Sequence, residues 1–133
     1  MENATKHIIL YAEDDRDDLD LVKDAFSRFN SEIELLHGFD GREALQLLHK
    51  LVANNTPPCL IILDINMPGM DGRQALIQIK QSEKTRNIPV VMFTTSNSRL
   101  DKDFAVKWGA DFITKPLKFG EVVSLADDFI RRC

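Results

Sequence analysis

The chain has 133 residues, of which 44% are hydrophobic and 29% are charged, and its formal net charge is -4. This length and balance are typical of one globular domain with a buried core. The acidic charge disfavours direct binding to nucleic acid, which favours a basic surface. The sequence shows no leader pattern and no apolar run of membrane-spanning length. We therefore expect a cytoplasmic protein that does not contact a membrane.

The cysteines and histidines give no sign of a disulfide framework or a zinc site. Two cysteines, Cys59 and Cys133, are too few for such a framework, and we expect both to be free thiols. The three histidines, His7, His37 and His49, are scattered without zinc-type spacing. A metal site built on histidine is therefore not expected.

Strand and helix patterns alternate along the chain. The predicted strands are His7–Ala12, 32–38, Leu60–Leu63, 88–93 and 110–114. The predicted helices are 16–28, a helix capped by Asp40 that ends before 54–58, about 72–81, a helix with Leu100, Phe104 and Trp108 on one face, and 119–132. Asp17, Asp18 and Asp20 crowd the first turn of the first helix, where the helix dipole favours negative charge, and we expect no other role for them.

The connections between these segments are short, which predicts parallel strands joined by right-handed crossovers. The pattern therefore predicts an α/β fold with one five-stranded parallel sheet and five helices.

Polar side chains follow four of the predicted strands. Glu13 and Asp14 follow the first strand, and Asp64 follows Leu60–Leu63. The last two strands end in Thr94 and Lys115. Because the carboxyl ends of parallel strands meet at one edge of a sheet, these side chains should converge in one cleft.

The chemistry of this cleft indicates a metal-assisted phosphoryl site. Glu13, Asp14 and Asp64 would repel one another, and a divalent cation with oxygen ligands, such as Mg²⁺, relieves that repulsion. Lys115 contributes a positive charge and Thr94 a hydroxyl donor, the groups that hold a phosphoryl group in transfer. An aspartate can act as the nucleophile. The chain has no Walker-type loop and no histidine at the carboxyl end of a strand, which disfavours other common catalytic sites.

Four segments resemble the receiver domain of bacterial two-component response regulators, in particular the stand-alone CheY-like domains. These segments are 9–15, 63–72, 91–95 and 112–116. The resemblance covers essentially the whole chain and implies a flavodoxin-like (βα)5 fold, with residues 1–133 forming a single receiver domain without an output domain. The acidic run 14–18 and the loop before Pro57 most resemble small regulators paired with bacteriophytochrome-type kinases.

The resemblance also implies a role for individual residues. Asp64 would be the phosphoacceptor, Thr94 the switch hydroxyl, and Lys115 the lysine that pairs with the phosphoryl group. Phe112 matches an aromatic switch position, although core packing explains it equally well. The resemblance further implies that a cis peptide bond precedes Pro116 and turns the neighbouring lysine into the cleft.

The implied cofactor is Mg²⁺. Its implied ligands are Glu13, Asp14, Asp64 and the backbone carbonyl of Asn66. Because Asp15 follows directly, the sequence leaves a one-residue ambiguity in the acidic pair. Thr95 stands where a smaller residue is usual and could narrow access to the phosphoacceptor. Asn66 and Ser96 are small and polar, so we expect no strong protection of the phosphoryl group from water.

The sequence thus predicts a signalling switch that accepts a phosphoryl group from a histidine kinase or phosphotransfer protein and acts on an unidentified protein target. It would catalyse only its own phosphorylation and dephosphorylation, as a monomer or homodimer. One alternative is a phosphorylation-independent binding module, although such modules typically lack part of the set of acids, threonine and lysine. Another is a metal-dependent phosphatase, which Asn66 disfavours because that enzyme needs a second acid there.

Overall fold

The computed structural model describes residues 7–29 and 32–133, and it contains one sheet of five parallel strands in the order β2-β1-β3-β4-β5. The strands are β1 (His7–Ala12), β2 (Ile33–Gly38), β3 (Leu60–Leu63), β4 (Val90–Thr94) and β5 (Asp111–Thr114). The helices are α1 (Arg16–Ser27), α2 (Gly41–Ala53), α3 (Gly72–Gln81), α4 (Arg99–Lys107) and α5 (Phe119–Arg131). This architecture confirms the predicted α/β fold.

The sheet lies between two layers of helices, and β3 shows why its sequence is apolar without alternation. Leu60 and Ile62 pack in the core on the side of α1 and α5, whereas Ile61 and Leu63 pack on the side of α2, α3 and α4. All four side chains are fully buried. A central strand covered on both faces requires apolar residues at every position, as the run 60–63 has.

The predicted and observed element bounds differ most at β4. The apolar run predicts a strand from Ile88, whereas the strand in the structure begins at Val90. The Ile88 N–H donates to the carbonyl of Thr85 at 3.0 Å in a preceding turn, and Pro89 has no N–H to donate to a neighbouring strand. The other strand bounds, and the predicted bounds of α1, α3 and α5, agree to within one residue.

The loop after β3 returns closely beneath the end of that strand. Gly72, the first residue of α3, lies so near the backbone of Asp64 and Ile65 that an added Cβ would overlap it. Its N–H donates to the carbonyl of Ile65 at 2.9 Å. Only glycine permits this approach, which holds the backbone of Asp64 in place.

The expectation of two free thiols is wrong, because Cys59 and Cys133 form a disulfide. Their Cα atoms lie 5.4 Å apart although 74 positions separate them in the sequence. Cys59 directly precedes β3, and α5 brings the end of the chain back to the amino end of that strand. Sequence spacing gives no sign of this proximity, since it depends on the packing of α5 against the sheet.

The buried face of helix α4 also differs from the predicted one. Phe104 and Trp108 are half-buried, as expected, but 80% of Leu100 is exposed. Asp101 is buried in its place, and it forms an ion pair with Arg73 of α3. No helix in the described ranges is long and apolar enough to cross a bilayer.

Candidate functional site

Three of the predicted site residues meet at the carboxyl edge of the sheet. The Lys115 Nζ donates to Glu13 Oε1 at 2.6 Å and to Asp64 Oδ2 at 2.9 Å. The side chains of Lys115 and Asp64 are each 9% exposed, and that of Glu13 is fully buried. The structure therefore places an ammonium group against two carboxylates that are 51 and 102 positions away in the sequence.

Asp18 is a fourth member of this cluster, which the sequence analysis missed. Its Oδ2 accepts a hydrogen bond from Lys115 Nζ at 2.7 Å. The expectation that Asp18 serves only the helix dipole is therefore wrong. The sequence gives no signal of this role, because it depends on the direction in which the side chain leaves α1.

The ambiguity between Asp14 and Asp15 has a structural answer. Asp15 is the N-cap of α1, and its side chain accepts hydrogen bonds from the N–H groups of Asp17 and Asp18. Asp14 is exposed and its carboxylate lies with those of Glu13 and Asp64. Asp14, rather than Asp15, is therefore grouped with Glu13 and Asp64, and metal binding by this group stays a prediction.

The carboxylates of Glu13, Asp14 and Asp64 lie close enough together to hold one divalent cation. Each contributes one oxygen, and these oxygens lie within 4.8 Å of one another. A set of hard oxygen donors, with one exposed member, suits an ion that keeps part of its water shell, as Mg²⁺ does. The residues therefore fit such a cation. Asn66 is exposed on the loop that follows β3, and the role of its carbonyl stays a prediction.

Tyr11 supports Glu13 from within the sheet and was also missed. Its fully buried hydroxyl donates to Glu13 Oε1 at 2.8 Å, while the Asp15 N–H donates to Oε2 at 3.2 Å. Burial raises the pKa of Glu13 to about 7, although the hydrogen bond from Lys115 opposes this shift. Burial likewise raises the pKa of Tyr11, and the neighbouring Glu13 carboxylate adds to that effect. The tyrosine thus remains a donor that orients Glu13.

His37 restrains the same loop from the neighbouring strand. Its Nε2 lies 2.7 Å from the carbonyl oxygen of Glu13. In the tautomer that carries the proton on Nε2, the ring donates a hydrogen bond to this carbonyl oxygen. Burial lowers the pKa of His37, which favours the neutral ring. The ring packs edge-on against Phe39 with 4.3 Å between centroids. His37 therefore fixes the backbone that carries the first acid.

Thr94 and Lys115 are joined through the backbone. The Lys115 N–H donates to the Thr94 carbonyl at 2.7 Å, and this bond aligns the ends of β4 and β5. The expected cis bond before Pro116 is not found, since the described residues contain no cis peptide bond. Lys115 reaches the acids with a trans bond, because this backbone pairing already directs it to the cleft.

The switch candidates occupy different environments. Thr94 is fully buried, and its Oγ1 accepts a hydrogen bond from the Ser96 N–H at 3.3 Å. Thr95 is exposed. Phe112 is half-buried against the core on the side of α2, α3 and α4. The half-buried state is compatible with both readings of Phe112, a switch or a packing residue.

The family model for the response regulator receiver domain matches residues 9–127. The chain belongs to this family. The match includes all four segments on which the sequence resemblance rests, so the resemblance to receiver domains is confirmed.

Named relatives show how far this receiver domain is similar to others. It is 36% identical to the response regulator Rcp1 of Synechocystis over 102 residues, which cover 75% of this chain and 69% of Rcp1. It is also 36% identical to the probable methanogenesis regulatory protein FilR2 of Methanothrix harundinacea, over 92% of this chain and 80% of that protein.

Among solved structures, this receiver domain resembles the phosphorylated cyanobacterial phytochrome response regulator RcpA with a TM-score of 0.84 and 29% identity, over 93% of this chain and 91% of that one. The Mn²⁺-bound form of Rcp1 gives a TM-score of 0.79 and 30% identity, over 92% and 91% of the two chains. The metal and the phosphorylation belong to those two structures.

Proposed function

We propose that this receiver domain accepts a phosphoryl group on Asp64 from a phosphohistidine of a histidine kinase or phosphotransfer protein. The observation that carries the proposal is the contact of Asp64 Oδ2 with Lys115 Nζ at 2.9 Å, beside the carboxylates of Glu13 and Asp14. A nucleophilic carboxylate, an ammonium group and a cation site together are the groups that phosphoryl transfer requires. The phosphorylated and Mn²⁺-bound relatives lend support to this assignment.

The chemistry of the step follows from the positions of these groups. An oxygen of Asp64 attacks the phosphorus atom, the bond from phosphorus to the histidine nitrogen breaks, and the imidazole leaves with the electron pair. Lys115 lies where its ammonium group stabilises negative charge on the transferred oxygens. Mg²⁺, held by Glu13, Asp14, Asp64 and the carbonyl of Asn66, would neutralise charge on the phosphoryl oxygens when bound.

The result of the step is a shift between two conformations. Thr94 would turn its hydroxyl toward the phosphoryl group, and Phe112 is the aromatic residue expected to respond. The shift acts on a downstream protein only if that protein binds the two conformations with different affinity. The chain would catalyse its own phosphorylation and dephosphorylation without turnover of other substrates, and we expect it to act in the cytoplasm. The phytochrome regulators among its structural relatives make a phytochrome-type histidine kinase the first donor to test.

The test is phosphorylation with acetyl phosphate and Mg²⁺, read by intact mass. The wild-type chain and Asp103→Asn, which alters an exposed acid of α4, should gain one phosphoryl group. Asp64→Asn should gain none, because the nucleophile is removed. A chelator should abolish the adduct on the wild type. If the wild type gains no adduct with either acetyl phosphate or a phosphohistidine donor, the proposal fails and the binding-module alternative gains support.

A further inference from the structure

A second buried carboxylate lies outside the phosphorylation site. Asp101, in the first turn of α4, is 9% exposed. Its Oδ2 accepts a hydrogen bond from the Ser96 hydroxyl at 2.6 Å, and its Oδ1 lies 3.0 Å from Arg73 Nη2. Aspartate is seldom buried unless it is paired, and here the partners come from the β4–α4 loop and from α3. The carboxylate therefore ties these two segments together.

This cluster leads directly to the Thr94 hydroxyl. Ser96 bonds Asp101 through its side chain, and its backbone N–H donates to Thr94 Oγ1 at 3.3 Å. Arg73, at the other end of the chain of contacts, follows Gly72, the residue packed beneath Asp64. The start of α3 and the β4–α4 loop are thus joined by one series of polar contacts.

We propose that Arg73, Asp101 and Ser96 form a latch that holds Thr94 in the position seen in this structure and slows phosphorylation of Asp64. The inference rests on the proposed function. In the proposed function the Thr94 hydroxyl turns toward the phosphoryl group on Asp64, and this movement would break its hydrogen bond with the Ser96 N–H or carry the β4–α4 loop with it. Asp101 restrains that loop through its contact with Ser96, and Arg73 restrains Asp101. These three are positioning residues, since none contacts Asp64.

The Arg73 guanidinium suggests a second arrangement of the latch. Its Nε is buried and has no hydrogen-bond partner within residues 7–29 and 32–133. A buried N–H without a partner disfavours the arrangement that leaves it so. Another rotamer of Arg73 or a different loop position would give Nε an acceptor, and either change would alter the contact between Arg73 and Asp101.

The expected effect of weakening the latch is faster phosphorylation. If phosphoryl uptake proceeds from a minor population with Thr94 released, the observed rate is reduced by the fraction of that population. Shifting an equilibrium of this kind should raise the uptake rate roughly three- to tenfold. A purely structural ion pair predicts no gain in the uptake rate, since its loss loosens the fold without favouring the active arrangement.

The experiment compares uptake rates from acetyl phosphate at saturating Mg²⁺ by intact mass. The variants are Arg73→Gln, Asp101→Asn, Ser96→Ala and the double variant Arg73→Gln/Asp101→Asn. Ser96→Ala removes one hydroxyl and should fold even if the charge variants do not. The matched controls are Arg99→Gln and Asp103→Asn, which break an exposed 3.9 Å ion pair on the same helix. Melting temperatures check folding, and emission from Trp108, the single tryptophan, reports on the end of α4.

Faster uptake in the three single latch variants, with no further gain in the double variant and no change in the controls, would support the latch. The absence of a further gain matters because two residues acting through one contact are not additive. Equal or slower uptake in folded variants would overturn the latch and leave the proposed function intact. No adduct on the wild type would overturn both.

Discussion

The two ends of the parallel sheet use different chemistry to join distant parts of the chain. At the carboxyl end, Lys115 bonds three carboxylates, those of Glu13, Asp18 and Asp64. At the amino end, the Cys59–Cys133 disulfide and an Arg132–Asp111 ion pair attach the end of α5 to the starts of β3 and β5. The cluster at the carboxyl end is held by ion pairs and hydrogen bonds, which suits it to chemistry. At the amino end, a covalent bond and a surface ion pair attach α5.

The difference follows from burial and charge. The carboxyl-end cluster holds more negative than positive groups in a poorly exposed place, so it depends on Lys115, and its acids also fit a divalent cation. At the amino end the disulfide carries no charge, and Arg132 pairs with Asp111 and Asp128 at the surface, where water screens the charges. The polar cluster at which we propose the chemistry is therefore separated by the length of the sheet from the covalent attachment of α5.

Removal of Lys115 should lower the unfolding free energy more than any other change to the two ends of the sheet. Lys115→Met leaves Glu13 and Asp64 without their cation, and breaking a buried pair from one side costs about 3–5 kcal/mol in unfolding free energy. Burial alone would lower the pKa of Lys115, but the hydrogen bonds that its ammonium group donates to Asp18, Glu13 and Asp64 raise it. Because the folded-state pKa lies above the unfolded value, the stabilisation is fully present below the unfolded pKa, including at pH 7, and is lost as pH rises through the folded one.

The measurement is urea denaturation of Lys115→Met at pH 7, with and without MgCl₂. Mg²⁺ should restore part of the lost stability, since it supplies positive charge to the same carboxylates. Lys107→Met, at an exposed position of α4, is the control and should behave like the wild type. Equal stability of Lys115→Met and wild type without Mg²⁺ would show that the cluster does not depend on its lysine.

Loss of the disulfide should have the next largest effect. Cys133→Ser releases a cross-link that spans 74 positions, which typically lowers the unfolding free energy by about 2–4 kcal/mol. Mg²⁺-dependent phosphorylation should be unchanged, because the disulfide lies at the opposite end of the sheet. The measurement is denaturation with and without a thiol reductant, which should destabilise the wild type and leave Cys133→Ser unaffected. If the reductant has no effect on the wild type, the cross-link contributes nothing to stability under those conditions.

The sequence predicts the positions of those site residues that directly follow a strand. Asp64 and Lys115 could be placed together because parallel strands align their carboxyl ends, which depends only on local pattern and topology. Tyr11 and Asp18 could not, since their roles depend on which way a side chain points within a core or on a helix surface. The disulfide was missed for a related reason: the packing of α5, not the spacing of Cys59 and Cys133, brings the two together. Likewise, the burial of Asp101 in place of Leu100 depends on partners from two other elements.

Loss of the ion pair between Arg132 and Asp111 should lower the unfolding free energy least among the contacts compared. Its atoms lie 2.6 Å apart, and the side chains are 32% and 65% exposed. The hydrogen bond from Arg132 to Asp111 raises the pKa of the arginine, which is charged at any pH of interest. Because water and salt screen such pairs, Asp111→Asn should lower the unfolding free energy by only about 0.2–1 kcal/mol, and 1 M NaCl should remove most of the difference.

Urea denaturation at low and high salt measures this difference in unfolding free energy, with Asp20→Asn on α1 as the exposed control. A loss as large as that from Cys133→Ser would mean that the ion pair stabilises the attachment of α5 as much as the disulfide does.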